Sequence, residues 1–392
     1  MDARAWLPRA AARRPDAIAL ETAELRWTYA ELLERAAAAE PAAAIALPPG
    51  PDFVVALHAC VLRGVPAVPV DPRLGEREQA AIRRAATPPG ALMVVHTSGT
   101  TGAPRPVALT AGNVHAQALG SAVALGLDPR ERWLCPLPLS HVGGLMVLLR
   151  SVIYATTVVL RPLEGAELHG ATLASLVPTQ LARALDAGLT RPPGLRAVLL
   201  GGAGAPRPLL ARAAAAGVPV AQTYGLTQAC SSVTVSEPGD LATQGVPIPG
   251  AEVGIAPDGE ILVSGPTVAG GGTHATGDLG RLDARGRLVV SGRKADTIIT
   301  GGENVAPAEV ESVLLEHPAV ADAAVYGRPD PEWGEAVTAR VVLREPVDPD
   351  ALRAFARERL AGFKVPKAIE VAGELPRTAS GKLLRRALSS PP

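Results

Sequence analysis

Thr97-Ser98-Gly99-Thr100-Thr101-Gly102-Ala103-Pro104-Arg105 is the stretch on which the fold turns. It follows residues 91–96 (ALMVVH), an apolar run that reads as a buried strand. Gly99 and Gly102 permit tight turns, so successive backbone N–H groups can converge on an anion. The hydroxyls of Thr97, Ser98, Thr100 and Thr101 add donors, and Arg105 adds a fixed positive charge. A strand running into such a loop is built to cradle phosphate. It is not a Walker A loop, because no Gly-Lys-Ser/Thr follows at the required spacing. An ordinary polar turn would not need this density of hydroxyls and glycines.

On both sides of the loop, apolar runs alternate with helical patterns, which points to an α/β chain. Residues 154–160 are β-branched and read as a strand, and residues 197–200 form a short apolar run ending in Gly201-Gly202. Residues 218–222 read as a further strand before Thr223-Tyr224-Gly225. From about Gly245 the texture changes. Residues 260–264 (EILVS) and 287–291 (RLVVS) are short strands flanked by Asp258-Gly259 and Arg285-Gly286, the pattern of antiparallel hairpins. After Gly292-Arg293-Lys294, residues 307–317 fit a helix with Pro307 in its first turn and Glu309 and Glu311 near its positive end. Residues 319–326 and 337–343 read as strands. Residues 348–361 form an amphipathic helix capped by Asp348, with Leu352, Phe355, Ala356 and Leu360 on one face. The expectation is a large α/β N-terminal domain with a β-rich edge, residues 1–294, and a small α+β domain, residues 295–392.

Composition excludes several classes. The 392 residues are 47% hydrophobic, ample for a large core and a second small one. Net charge is zero, with 38 basic and 38 acidic residues, so no field draws nucleic acid or an anionic membrane. Aromatics are 3%, too few for base-stacking platforms. Cys60, Cys135 and Cys230 lie far apart with no CxxC, and read as small buried hydrophobes in a reducing compartment. Residues 1–15 carry four arginines but no apolar signal core, and no apolar run is long enough to span a bilayer. The expected location is cytoplasmic, without membrane insertion, and a homodimer is left open.

The string Ser98-Gly99-Thr100-Thr101-Gly102-Ala103-Pro104 resembles the signature loop of the adenylate-forming superfamily, which includes acyl-CoA ligases, non-ribosomal peptide synthetase adenylation domains and luciferases. That family usually continues Lys-Gly, where this chain has Arg105-Pro106: charge is kept, one N–H is lost. Further landmarks follow in the family's order, with roles that the resemblance implies. Thr97, Ser98, Gly99, Thr100, Thr101, Gly102 and Arg105 hold the β- and γ-phosphates of ATP. Gly201-Gly202-Ala203 packs against adenine. Tyr224-Gly225-Leu226-Thr227-Gln228 resembles Tyr-Gly-x-Thr-Glu, in which Tyr lies near adenine, Thr meets the α-phosphate and Glu helps hold Mg²⁺. Here the Glu is Gln228, a poorer ligand for a hard cation. Asp278, in Thr276-Gly277-Asp278, holds the ribose hydroxyls, and Arg293 reaches ribose or phosphate. Gly301-Gly302, ahead of Glu303-Asn304-Val305, resembles the loop that opens the mobile C-terminal domain and helps form a thiol tunnel. Leu375-Pro376-Arg377-Thr378-Ala379-Ser380-Gly381-Lys382 resembles the segment whose lysine, here Lys382, serves adenylation.

The resemblance implies ATP, Mg²⁺ and coenzyme A as reactants and cofactors. An acid becomes an acyl-AMP and then a thioester, with the small domain turning about Lys294-Ala295-Asp296. Residues 133–160, with Ser140-His141-Val142-Gly143-Gly144-Leu145, are similar to o-succinylbenzoate–CoA ligases of menaquinone synthesis. Ser175-Leu176-Val177-Pro178-Thr179-Gln180-Leu181 is similar to the same group. By that likeness His141 orients or gates the acid. A second, unreacting carboxylate on the substrate calls for a cation, and Arg150 is the candidate. It lies nine residues after His141, so the two share a pocket only if a helix starts after His141. The chain is short for the family between Asp71 and His96 and before Pro48. Loading of a separate carrier protein, and a nucleotide-binding pseudo-enzyme, stay as the alternatives.

Overall fold

The computed structural model of the chain describes residues 2–98, 104–377 and 383–388. They gather into two units. The first comprises Met1–Gly202, Ala213–Gly254 and Leu262–His274; the second comprises Ala203–Arg212, Ile255–Ile261 and Ala275–Pro392. The division expected at residues 294 and 295 therefore falls inside the second unit.

Short, mostly apolar runs make the centre of the first unit. Leu173–Leu176, Ala197–Leu200 and the start of Val220–Leu226 are buried along their length, as strands covered on both faces must be. They pair in parallel, and Arg132–Leu134, Thr157–Val159 and Ile18–Glu21 continue the parallel array. Antiparallel strands close each end, Ser231–Val235 and Val246–Pro247 on one side and Arg26–Thr28 on the other. The strand expected over residues 154–160 is corrected. Tyr154 ends the helix Val142–Tyr154, Ala155 turns into the left-handed region (φ 57°), and only Thr157–Val159 is strand. Residues 142–154 are apolar nearly throughout and form a helix buried on most sides. The strand expected at 218–222 begins later and runs on through Leu226, because Ser231–Val235 folds back to pair with it.

The strand ahead of the phosphate loop lies outside this sheet. Ala91–Ser98 pairs antiparallel with Pro104–Thr110, placing Thr97 opposite Arg105 and Ser98 opposite Pro104. Pro104 and Pro106 are tolerated because their strand has no second partner to which an N–H is owed. Val68, Val70, Ile82 and Val94 form the small core beneath the ribbon.

Thr273–Leu282, in the second unit from Ala275 on, and Leu288–Arg293 form the antiparallel hairpin expected from Arg285-Gly286. A five-stranded sheet follows. Glu303–Val305, Ile298–Thr300, Gly334–Leu343 and Val320–Asp330 lie in that order, and Ala368–Val371 pairs alongside Gly334–Leu343. Helices Pro307–Leu315 and Pro349–Arg357 cover it through Val310, Leu314, Leu352 and Ala356. Asp348 caps the latter helix, accepting the Asp350 N–H at 2.9 Å. That helix stops at Arg357 rather than 361, yet Leu360 still packs on the core.

Candidate active site

The register of the parallel strands sets Leu176, Leu200 and Gln222 side by side, so Val177, Gly201 and Thr223 emerge together at their carboxyl ends. This is where open α/β sheets hold ligands. Gln180 braces the edge: its Oε1 accepts the Val177 N–H at 3.1 Å and its Nε2 donates to the Pro136 carbonyl at 3.1 Å. Tyr224 follows, buried. A bulge then shifts the pairing from Tyr224↔Thr234 to Gly225↔Ser232. A Cβ at Gly225 would lie 2.1 Å from the Ser231 carbonyl oxygen, so only glycine fits. Thr227–Ala229 makes one 3₁₀ turn, and Cys230 (φ 57°) and Ser231 (φ 102°) then hold positive φ without being glycine. Positive φ in a non-glycine pair costs backbone energy that the surrounding packing must offset.

Thr227 and Gln228 are half-buried on that turn. The Gln228 carbonyl accepts the Ala269 N–H at 2.7 Å, while its side chain makes no hydrogen bond among the described residues. Nor do the described residues hold any group of three or more His, Cys, Asp or Glu placed for a metal ion. That donor set fits a magnesium ion held mainly by phosphate oxygens and water, with one amide oxygen at hand.

The phosphate loop is seen at its two ends. Thr97 Oγ1 donates to the Arg105 carbonyl at 3.4 Å, and Arg105 is exposed, without an ion pair among the described residues. Gly99, Thr100, Thr101 and Gly102 lie outside the described residues, as does the side chain of Ser98.

His141 is the exposed N-cap of Val142–Tyr154, so the helix starts after it, as the shared pocket requires. The segment before it is latched by residues the sequence did not single out for this role. Ser140 Oγ donates to Asp71 Oδ2 at 3.1 Å, and Arg73 Nη2 donates to the same oxygen at 2.6 Å. The Arg73 guanidinium holds the Asp71 carboxyl down to about 2. Arg150 lies two and a half turns further along, roughly 13.5 Å down the axis from His141, and is 2% exposed. The two are thus on one helix without being neighbours. Arg150 Nε donates to Gln117 Oε1 at 2.8 Å, and its guanidinium lies 5.4 Å from the Trp133 ring centroid. Its Nη2 is buried with no hydrogen-bond partner, and no carboxylate pairs with it among the described residues. Burial pulls its pKa below the ordinary arginine value.

In the second unit, Asp278 is buried and faces Arg293 directly across the hairpin, Arg293 Nε to Asp278 Oδ1 at 2.7 Å. A bulge makes that pairing: Leu279 faces Gly292 but Gly280 faces Val290, so Ser291 is the extra residue. Thr276 Oγ1 donates to the Ile261 carbonyl (2.7 Å) and accepts the Asp278 N–H (3.1 Å), fixing the approach to Asp278. Lys294 Nζ reaches Asp258 (2.6 Å) and Glu260 (2.9 Å). Gly301 (φ 57°) and Gly302 (φ 84°) turn Ile298–Thr300 into Glu303–Val305, and the Gly301 N–H donates to the Trp333 carbonyl at 2.8 Å. Ala203 is exposed, at the start of the Ala203–Arg212 segment. Lys382 lies outside the described residues.

Comparison with known proteins supplies independent findings. The family model described as AMP-binding enzyme matches residues 7–92 and 86–271, and the AMP-binding enzyme C-terminal domain matches 309–382. The first two matches meet at 86–92, inside the stretch expected to be compressed. The 2-succinylbenzoate–CoA ligase of Bacillus subtilis (strain 168) is 36% identical over 474 aligned positions, covering 98% of this chain and 97% of that one. That span exceeds the 392 residues here, so the relative carries segments this chain lacks. The enzyme of the same name from Bacillus cereus (strain Q1) is 40% identical over 80% of this chain and 73% of its own. Among solved structures, o-succinylbenzoate CoA synthetase from Bacillus subtilis with its acyl-adenylate intermediate superposes with TM-score 0.89 at 35% identity, covering 99% of this chain and 98% of that one. The same enzyme with ATP and magnesium ion gives 0.87 at 35% identity, covering 98% and 99%.

Proposed function

This chain belongs to the AMP-binding enzyme family, and from that premise we propose that it is an ATP-dependent 2-succinylbenzoate–CoA ligase of menaquinone biosynthesis. It converts the acid to acyl-AMP with loss of pyrophosphate, then forms the coenzyme A thioester and releases AMP.

The observation that carries the choice of acid is Arg150. A buried guanidinium with no carboxylate partner costs several kcal/mol unless an anion joins it. A substrate with two carboxylates supplies that anion: one reacts, and the other meets Arg150. A pocket for a simple alkyl acid has no use for such a cation. Gln117 and Trp133 hold the guanidinium in place for it.

In the first step a carboxylate oxygen attacks the α-phosphorus and the bond to the β-phosphate breaks. Both reactants are anions, so positioning and charge stabilisation do most of the work. Thr97, Ser98, Gly99, Thr100, Thr101, Gly102 and Arg105 hold the β- and γ-phosphates. Thr227 meets the α-phosphate, and Lys382 neutralises the transition state. Tyr224, Gly225, Gly202 and Ala203 border adenine, while Asp278, braced by Arg293, takes the ribose hydroxyls. Magnesium, when bound, neutralises phosphate charge; Gln228 is the residue that would help hold it. In the second step the thiol sulfur attacks the acyl carbon along a path bordered by Gly301 and Gly302, and AMP leaves. His141 orients the acid. Residues 1–294 and 295–392 act as the two working parts, pivoting at Lys294-Ala295-Asp296.

Among the described residues no helix is long and apolar enough to cross a membrane. The reading places the enzyme in the cytoplasm and leaves room for a homodimer, which sedimentation decides. The function is tested by measuring pyrophosphate release over a panel of aryl and alkyl acids, with and without coenzyme A. The expected outcome is selective turnover of 2-succinylbenzoate and a coenzyme A thioester seen by mass spectrometry. Turnover of other acids alone, or acyl-AMP that never passes to coenzyme A, would overturn it.

A further inference from the structure

The chain is tied down on both sides of residues 378–382. Before them, Arg377 Nη2 donates to Asp322 Oδ2 at 2.6 Å. After them, Leu383 forms an antiparallel bridge with Arg377, and the Leu384 N–H donates to the Pro376 carbonyl at 2.9 Å. Leu388 is buried with Ala324, Tyr326 and Leu375, which anchors the returning chain.

Arg385 makes the widest of these attachments. Its Nη2 donates to both Glu311 oxygens at 2.7 and 2.8 Å, its Nη1 to Asp296 Oδ2 at 2.9 Å, and its Nε to the Val325 carbonyl at 3.3 Å. Glu311 in turn accepts the Val325 N–H at 2.8 Å. One planar fork thus joins three separate places: the helix Pro307–Leu315, the strand Val320–Asp330 and the turn Lys294–Asp296. Burial pushes the Glu311 carboxyl above its ordinary pKa, and the guanidinium opposes that push. A charged fork spent on three partners is more than is needed to hold down a terminal segment already fixed by Leu388.

We propose that Arg385 is a positioning residue for the adenylation step: through Glu311, Asp296 and Val325 it sets the point from which Lys382, three residues earlier, reaches the reacting phosphate. This rests on the reading of Lys382 as the adenylation lysine. Loosening a reacting group by an ångström costs on the order of a hundredfold in rate, so a tether three residues away bears on the step. An ammonium at residue 385 keeps the charge but cannot reproduce the planar fork.

The test uses the full chain carrying Arg385→Gln, Arg385→Lys or Asp296→Asn, with Lys382→Ala as reference. Acid-dependent ATP–pyrophosphate exchange and thioester formation from supplied acyl-AMP are measured separately, alongside thermal melting. The expected result is a 10- to 100-fold fall in kcat for exchange in Arg385→Gln, unchanged KM for ATP and acid, and thioester formation within about twofold of the parent. Arg385→Lys should recover only part of the loss, and Asp296→Asn should show a smaller loss of the same kind. Equal loss in both half-reactions would reduce Arg385 to a structural tie, and wild-type exchange in a folded Arg385→Gln would overturn the proposal outright. Should Arg385→Gln fail to fold, the half-reaction split in Arg385→Lys and Asp296→Asn decides it by the same criterion. If Lys382→Ala itself retains exchange, the assignment of Lys382 fails instead, whatever the arginine variants do.

Discussion

Asp278 and Arg293 are register partners across one hairpin, and their side chains meet at 2.7 Å. Arg293 takes one carboxylate oxygen and holds the group in place, and in the proposed role the carboxylate accepts the two ribose hydroxyls. Asp278→Asn gives up one acceptor and the charge. It should raise KM for ATP about 10- to 100-fold, the worth of charge-assisted hydrogen bonds, with KM for the acid unchanged. Arg293→Gln should give a smaller change in the same direction. Initial-rate kinetics with each substrate varied in turn checks both.

Arg150 yields a prediction with opposite signs for function and stability. Arg150→Met replaces a buried, carboxylate-free guanidinium with an apolar chain of similar length. KM for 2-succinylbenzoate should rise by about a hundredfold as a buried charged contact is lost, while KM for ATP stays put. The melting temperature in the absence of substrate should hold or rise, because an unpaired buried charge is removed. A large fall in melting temperature would show that Arg150 is structural.

Gln228→Glu puts a carboxylate where the described side chain makes no hydrogen bond. The magnesium concentration giving half-maximal exchange should fall severalfold, since a carboxylate suits this cation better than an amide. A magnesium titration that does not move would place Gln228 away from the metal.

His58, 2% exposed in Pro51–Arg63, sets an acid limit on stability. Burial pulls its pKa from 6.5 to about 4. The unfolded chain therefore takes up a proton below pH 6.5 while the folded chain does not until near pH 4, so stability falls as pH drops across that window. The whole fall is about 3 kcal/mol. In His58→Leu, denaturation midpoints measured between pH 7 and pH 4 should decline less steeply than in the parent.

What was legible in the chain followed from local pattern. The helix from Pro349 was readable from its cap and its apolar face, and the hairpin of the second unit from Arg285-Gly286. The strands at 197–200 and 260–264 fall where their apolar runs place them. Residues 154–160 misled because β-branching was read without the helix that precedes it, and a left-handed Ala155 carries no signal in sequence. Asp71 and Ser140 are 69 residues apart, so nothing local announces their contact. Gln117 was invisible for the same reason, being known only through Arg150. Tyr224 to Gln228 was legible as a string, but the need for Gly225 comes from the path of Ser231, which the string does not contain.

The bulge at Ser291 sets a rule about length. Without it Asp278 would stand opposite Gly292, and Arg293 would move on by one residue to the other face of the sheet. A single insertion or deletion in the 283–287 turn would have the same effect, however conservative the residue. The Bacillus subtilis relative, aligned over 474 positions against 392 residues here, shows that this family can lose or gain whole segments. This hairpin is a gauge that admits substitution and forbids insertion or deletion, and libraries that vary loop length in the enzyme should leave it intact.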